Sequence, residues 1–178
     1  MAVNINQIEE YQVSELEHVK INQLLQQAFS GYPSDKSYYN QVPTFRLLAY
    51  QGERLIGHLG VNYRIITLNR DPFPIFGISD LCVDIEFQSQ KIASSLLNKL
   101  ELLAQKTLVD FLVLIADQHE VYLDNGFELV NNRGKWLIIR REMSLGIAHS
   151  KLKNCLMIKS IKGKEWETGT VDFLGSMF

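Results

Sequence analysis

The stretch CVDIEFQSQKIASSLL (residues 82–97) decides the fold, because it runs from an apolar strand through a polar bend into a helix. The first turn of a helix has free N–H groups and the positive end of the helix dipole. Small side chains at Ser89, Ala93 and Ser94 leave room there, and Lys91 adds a positive charge. The bend therefore suits a pyrophosphate, although a polar helix start without a ligand is equally ordinary. The helix is marked by apolar residues at i, i+3 and i+4 spacing: Ile92, Ala93, Leu96, Leu97, Leu100, Leu103 and Ala104.

Composition sets the protein class. The chain has 178 residues, of which 46% are hydrophobic and 21% charged, so we expect one folded domain over 1–178, with 145–178 as an extension. A net charge of −2 argues against a nucleic-acid surface, which needs a basic field. No signal peptide is visible, and the longest apolar run, FLVLIA (111–116), is too short to span a membrane. We therefore expect a cytoplasmic protein without a membrane partner.

Strand and helix patterns alternate along the chain. A first strand is predicted over 8–13, and a helix capped by Ser14 follows, with Leu16, Val19, Leu24 and Leu25 on one apolar stripe. After a turn-rich loop (30–43) come a hairpin of two strands (45–51 and 54–68), a third strand (74–83) and, beyond the helix that follows the bend, a buried strand (111–116). The stretch 119–130 is predicted to form a short helix that ends at Asn125 and Gly126, followed by a strand. Two late strands are predicted over 135–142 and 155–161. This order predicts an α/β fold with a mixed sheet.

Four polar or reactive side chains on predicted strands or at a helix start are candidates for chemistry. Asp80 lies within the apolar stretch FGISDLCV, where a carboxylate is costly to bury without a partner, so either a functional role or a structural hydrogen bond fits it. His58 could carry a proton, but a packing role is favoured; His119 could cap a helix or contact a substrate. Cys82 fits a core position better than a nucleophile. The cysteine spacing contains no metal motif.

Two motifs in this order resemble a known family. VDIEFQSQKIASSLL (83–97) resembles motif A of the Gcn5-related N-acetyltransferases (GNAT), and VYLDNGFE (121–128) resembles their motif FYEKLGFE. The resemblance covers about residues 5–145. It implies the GNAT fold, a mixed and mostly antiparallel central sheet flanked by helices. The bend looks closest to that of the aminoglycoside 2′-N-acetyltransferases, and the nodulation acyltransferases look distantly similar.

The resemblance also implies a co-substrate and roles for named residues. Acetyl-CoA would be bound, with its pantetheine arm along Leu81, Cys82 and Val83. Its pyrophosphate would rest on the bend, formed by Gln88, Ser89, Gln90, Lys91, Ile92, Ala93 and Ser94. Tyr122 would protonate the leaving thiolate, since a phenol is protonated at neutral pH. Asp80 would be the general base, and Ser79, where many members carry glutamate, would instead hold a water.

Lys91 stands where the family usually has glycine. A left-handed lysine would cost about 1–2 kcal/mol. We therefore expect ordinary helical backbone at Lys91, whose side chain is either solvated or in contact with phosphate.

The implied function is acetyl transfer to a primary amine of a small molecule, such as an amino sugar. The alternatives are a CoA-binding module that transfers nothing and an acyltransferase for longer chains. Whether the chain forms a homodimer stays open.

Overall fold

The computed structural model describes residues 2–178, which cluster into two compact units. The first unit comprises Met1–Val61 and Ser79–Leu100, and the second comprises Asn62–Ile78 and Glu101–Phe178. The chain passes from one unit to the other within two long strands and one helix.

The described residues form eight strands, three α-helices and two 3₁₀ turns. The strands are β1 (Val3–Glu9), β2 (Phe45–Gln51), β3 (Arg54–Leu68), β4 (Asp71–Val83), β5 (Phe111–Ile115), β6 (Glu128–Arg140), β7 (Met143–Ser160) and β8 (Thr170–Asp172). The helices are α1 (Glu15–Ala28), α2 (Ile92–Gln105) and α3 (Glu120–Leu123), and the 3₁₀ turns are Glu10–Gln12 and Ile85–Phe87. The pairs β4–β5 and β6–β8 are parallel, whereas β1–β2, β2–β3, β3–β8, β5–β7 and β6–β7 are antiparallel. The predicted α/β class with a mixed, mostly antiparallel sheet is confirmed.

In the first unit, helix α1 begins as predicted and buries a different face from the one predicted. Ser14 and Glu17 form a reciprocal capping box at its first turn. Ile21 is buried, together with two leucines of the predicted stripe, whereas Leu16 and Val19 are 66% and 52% exposed. At 100° per residue these two positions lie about 140° and 160° around the helix from Ile21, so the predicted stripe was partly wrong.

The first strand also differs from the prediction over 8–13. It begins at Val3 and ends at Glu9, and residues 10–12 turn in a 3₁₀ helix. The backbone N–H of Glu10 donates to Thr44 O at 3.1 Å instead of continuing along a strand. The hairpin predicted between β2 and β3 is confirmed, with Gln51 paired to Arg54.

In the second unit, six strands close into a ring. Their order is β3, β4, β5, β7, β6 and β8, and β8 also pairs with β3. Thr67 opposes Asp172 and Leu68 opposes Val171, which joins the last strand to the first. Closure removes exposed sheet edges and creates an interior that side chains must fill.

That interior is an apolar core drawn from all parts of the ring. The buried cluster contains Ile66, Leu68, Ile75, Phe111, Val113, Leu152, Leu156, Ile158, Val171 and Phe173. Trp166 packs its edge against Phe111, with ring centroids 5.1 Å apart. Phe178 packs at 5.6 Å from Phe173, and a Cβ on Gly77 would overlap its ring. The apolar C-terminal segment therefore contributes both a short strand, β8, and aromatic side chains to this core.

Candidate functional site

The bend between β4 and α2 is fixed by one arginine. Asp84 accepts a hydrogen bond from the Glu86 backbone N–H at 3.0 Å, which closes the 3₁₀ turn. Arg54 forms ion pairs with Asp84 at 2.7 Å and with Glu86 at 2.5 Å. Its guanidinium also lies 4.9 Å from the centre of the Phe87 ring. The chain therefore enters the bend along a defined path.

The backbone of the bend is left-handed at two non-glycine residues. Ser89 has φ 61° and Lys91 has φ 60°. The expectation of ordinary helical backbone at Lys91 was therefore wrong, and α2 begins only at Ile92. Where right-handed and left-handed residues alternate, successive backbone N–H groups point toward the same side of the chain. Such a concave arrangement, called a nest, suits an anion. Glycine meets that requirement at lower cost, and here lysine takes the same conformation.

Helix α2 starts in a tight fit against strand β3. Its first helical hydrogen bond runs from Ser95 N–H to Lys91 O at 2.9 Å. A Cβ on Gly57 would lie 3.0 Å from Ile92 Cγ2 and 3.2 Å from Leu96 Cδ1, closer than ordinary packing. The absence of a side chain at Gly57 therefore sets how closely the helix start approaches the strand. The predicted phosphate residues 88–94 follow one another along this bend, and they belong to the first unit.

Strand β4 is distorted at the candidate base. Asp80 has φ 52°, a conformation that aspartate tolerates better than most residues. Its carboxylate accepts a hydrogen bond from the Tyr32 hydroxyl at 2.9 Å, and its carbonyl lies 2.8 Å from His58 Nδ1. Burial raises the pKa of Asp80, and this outweighs the Tyr32 hydrogen bond and the Arg46 charge, which both lower it. The surroundings of Asp80 therefore favour the protonated form of its carboxyl group more than water does.

His58 is a structural histidine. It is fully buried, and Arg46 Nη1 lies 2.9 Å from its Nε2. Because arginine can only donate, Nε2 accepts and Nδ1 carries the proton given to Asp80 O. Burial first, and the Arg46 charge second, lower the pKa of His58 to about 3. The neutral form of His58 is therefore favoured, and its two ring nitrogens are occupied by Arg46 and by the Asp80 carbonyl, as the packing alternative expects.

Sequence reasoning missed the charged pair behind His58. Arg46 is 0% exposed, and its Nε lies 2.6 Å from Glu10 Oε2. Arg46 Nη1 also donates to Ser37 O at 2.9 Å. The signal was present: an arginine inside the apolar strand FRLLAYQ requires a buried partner. Nothing in the sequence indicated the contact that Tyr32 makes, because this residue lies in the turn-rich loop 30–43 and yet belongs to the buried core.

The other β4 candidates flank Asp80. A Cβ on Gly60 would lie 2.7 Å from Ser79 Oγ, so the glycine makes room for this hydroxyl. Cys82 is 6% exposed in a cluster with Tyr32, and burial raises the pKa of its thiol. Its expected place in the core is confirmed. Leu81 and Val83 are half-buried, and the β4–β5 pairing ends at Ile78, before these residues begin.

Tyr122 belongs to the second unit. It lies in the four-residue helix α3, and its ring packs edge-on against Phe127 with centroids 5.7 Å apart. Gly126, with φ 79°, follows the helix, as the motif predicts. His119 makes no side-chain cap; its Nε2 lies 3.1 Å from Ala116 O and 3.0 Å from Asn154 O.

Comparison with known proteins decides the family. Residues 10–130 match the sequence profile of the "Acetyltransferase (GNAT) domain", which is more than half of the chain. The chain belongs to the GNAT acetyltransferase family. It is therefore an acyltransferase, and acetyl-CoA is the co-substrate that GNAT enzymes use. No curated protein sequence matches the chain.

Solved GNAT structures share its fold at low identity. The N-acetyltransferase YhbS from Escherichia coli, solved with CoA, is 17% identical over 97% of this chain and 91% of its own, with a TM-score of 0.64. An acyl-CoA N-acyltransferase from Pseudomonas aeruginosa is 15% identical over 89% of this chain and 100% of its own, with a TM-score of 0.61. Eis1 from Mycobacterium abscessus is 16% identical over 71% of this chain and only 31% of its own, with a TM-score of 0.57. The chain thus spans about a third of that protein.

The two sequence motifs lie in different units of the structure. Asp80 and the bend both lie in the first unit, and the second motif, with Tyr122, lies in the second. Within residues 2–178, no helix has the length and apolar character needed to span a bilayer.

Proposed function

We propose that this GNAT enzyme transfers the acetyl group of acetyl-CoA to a primary amine of a small molecule by direct attack of the amine. The observation that carries the proposal is the left-handed bend at Ser89 and Lys91, which opens directly into α2. Amide groups turned to one side at a helix start suit a diphosphate. Two non-glycine residues adopt an unfavourable left-handed backbone conformation there, which supports a binding role because such strain is common at functional sites.

The residues of the bend fit the diphosphate of the co-substrate. Ser89, Ala93 and Ser94 have short side chains that leave the amides accessible, and Lys91 is exposed, so its long side chain can swing toward an anion. The backbone of Leu81, Cys82 and Val83 would hold the pantetheine arm. Acetyl-CoA, when bound, supplies an activated thioester. CoA in the related YhbS structure supports this assignment.

Asp80 would accept the proton of the incoming amine. An alkylamine with a pKa of about 10.4 is almost wholly protonated at neutral pH, and an ammonium has no lone pair to attack with. Asp80 is half-buried, has a raised pKa and accepts a hydrogen bond from the Tyr32 hydroxyl, which orients it. Ser79 is the neighbouring candidate and would act by holding a water through which the proton passes.

The leaving thiolate would take its proton from Tyr122. In the overall step an N–C bond forms and the C–S bond breaks. One proton of the ammonium goes to the Asp80 carboxylate, which leaves a neutral amine able to attack. A second proton leaves the nitrogen for solvent as the amide forms, and the Tyr122 hydroxyl gives its proton to sulfur. The backbone N–H of Cys82 would donate to the acyl oxygen as negative charge develops on it.

An amino sugar or aminoglycoside is the amine class we propose. The support is the likeness of FQSQKIASSLL (87–97) to aminoglycoside 2′-N-acetyltransferases. A homodimer remains a prediction, which the molar mass in solution would test.

The test combines binding with turnover. Acetyl-CoA should raise the melting temperature, and thiol release should depend on an added amine from a panel that includes amino sugars. Tyr122→Phe should slow release about 10²-fold or more while it leaves the thermal shift unchanged. Tyr11→Phe, at a tyrosine that is 83% exposed, is the matched control.

Each other outcome excludes something specific. A thermal shift without release on any amine would leave a CoA-binding module. Faster release from a longer acyl-CoA would make the enzyme a general acyltransferase. No thermal shift at all would refute the assignment of the bend.

A further inference from the structure

A cavity of about 420 Å³ lies beside the β6–β7 pair, within the second unit. Its lining includes Arg133, Lys151 and Lys153, together with Asn131 and Asn154. None of these residues belongs to the proposed acetyl-transfer site. The volume lies within the range of small-molecule sites, roughly 300–1,000 Å³.

The cavity forms where the register of the two strands breaks. Val130 pairs with Leu156 and Asn132 pairs with Leu152, so one residue of β6 stands opposite three of β7. Asn154, in the middle of the longer segment, has φ 55°. Bulges of this kind redirect side chains and are common beside functional sites. The extra chain length of β7 therefore opens space that regular pairing would close.

The charges around this space have one sign. Arg133 and Lys151 stand directly opposite each other across the strand pair, and Lys153 follows two residues later on β7. Like charges in directly opposed positions destabilise a sheet. Within residues 2–178, none of the three forms an ion pair with a carboxylate. The cavity lining contains no Asp or Glu. A bound anion would compensate this arrangement.

The floor of the cavity is held by satisfied polar groups. Asn132 is 6% exposed; its amide nitrogen donates to Glu167 O at 3.1 Å, and its oxygen accepts from Trp166 Nε1 at 2.9 Å. The Arg133 backbone N–H donates to Gly169 O at 2.9 Å. The backbone at Arg133 is therefore fixed by the segment that leads into the last strand, so little conformational entropy would be lost there when a ligand binds.

We propose that this cavity binds a phosphorylated small molecule. Three cations match a phosphate dianion better than a single carboxylate, and the planar fork of arginine pairs with phosphate oxygens bidentately. The site is separate in sequence from the bend at residues 88–94, so the proposal does not depend on the acetyl-transfer assignment.

The test is a residue-resolved titration of the full chain with inorganic pyrophosphate. Amide signals are followed by NMR at constant ionic strength and in the presence of CoA. Saturable shifts are expected at residues 131–133 and 151–154. The double variant Arg133→Gln and Lys151→Gln should weaken binding about 10-fold or more. Arg140→Gln removes one charge from the same hairpin away from the cavity and should change the affinity less than about 2-fold.

The outcomes separate this site from the co-substrate site. Shifts confined to residues 88–94 would overturn the cavity proposal and leave the acetyl-transfer assignment untouched. Equal affinity in the double variant and wild type, with native circular dichroism in both, would also overturn it. Saturable shifts at 131–133 that the double variant weakens would support it even if no amine is ever acetylated.

Discussion

Replacement of Tyr32 by phenylalanine isolates one hydrogen bond to the proposed base. The Tyr32 hydroxyl donates to Asp80 Oδ2 at 2.9 Å, and phenylalanine keeps the ring that packs in the surrounding core. Burial raises the pKa of Asp80, whereas this hydrogen bond lowers it. Because the bond favours the ionised form, its removal should raise the pKa of Asp80 further.

The expected size follows from the strength of the bond. A hydrogen bond to a charged group contributes about 1.5–3 kcal/mol. Because the bond favours the ionised form, this energy sets the upper limit on the rise in the pKa of Asp80. A base works only when deprotonated, so the acidic limb of kcat/KM should move to higher pH by the same amount. The alkaline limb of kcat/KM should stay in place, because the proposed scheme gives Tyr32 no contact with the group that must remain protonated.

Two measurements check the sign and the cause. Carboxyl ¹³C NMR gives the pKa of Asp80 directly, without reference to activity, and the pH dependence of thiol release gives the kinetic value. Tyr39→Phe is the control, because its ring lies 6.1 Å from that of Tyr32 and is 60% exposed. An Asp80 pKa that stays put or falls in a folded Tyr32→Phe variant would refute the electrostatic reasoning. A pKa that rises while the acidic limb stays fixed would remove Asp80 from its role as base.

Three further changes test other parts of the structure. The pKa of His58 is lowered to about 3, so below about pH 6.5 the unfolded state binds a proton at this residue that the folded state does not bind. The free energy of unfolding should therefore fall by up to about 1.4 kcal/mol for each unit by which the pH falls. Urea unfolding between about pH 6.5 and 5 should show a smaller slope for His58→Gln than for the wild type. Gly57→Ala should cost about 1–3 kcal/mol by pressing on Ile92 and should reduce the thermal shift with acetyl-CoA, and an unchanged shift would show that the helix start tolerates displacement. Lys91→Gly should raise the free energy of unfolding by up to about 1 kcal/mol because φ is 60°; a loss of about 1 kcal/mol, as for glycine inside a helix, would contradict the left-handed assignment.

Local patterns in the sequence were sufficient for most of the fold. The N-cap at Ser14, the β2–β3 hairpin and the apolar stripe of α2 are encoded within a few residues, and each was predicted. Closure of the second unit was not, because it depends on β8, a strand of only three residues. Its pairing with Thr67 and Leu68 joins positions about a hundred residues apart, and no local periodicity carries that information.

The residues of the candidate site could be predicted from the sequence more readily than their backbone geometry could. The motif around the bend placed the candidate phosphate residues, but its family preference for glycine was the better guide to backbone conformation than the cost of a left-handed lysine. That cost is small beside the stability of a whole domain, so tertiary structure can override it. The sequence indicates that Arg46 needs a buried partner, but it does not identify the partners, because the network joins Glu10, Arg46 and His58 from separate elements.

This network gives a physical reason for the distortion at Asp80. A left-handed aspartate costs about 1 kcal/mol or more and persists only where neighbours compensate. Here His58 donates to the Asp80 carbonyl and Tyr32 donates to its carboxylate, so both ends of the distorted residue are held. His58 is in turn fixed by Arg46, whose charge is balanced by Glu10. A base of the kind proposed must keep its direction while it gains and loses a proton, and separate contacts at the carbonyl and at the carboxylate of Asp80 would serve that purpose.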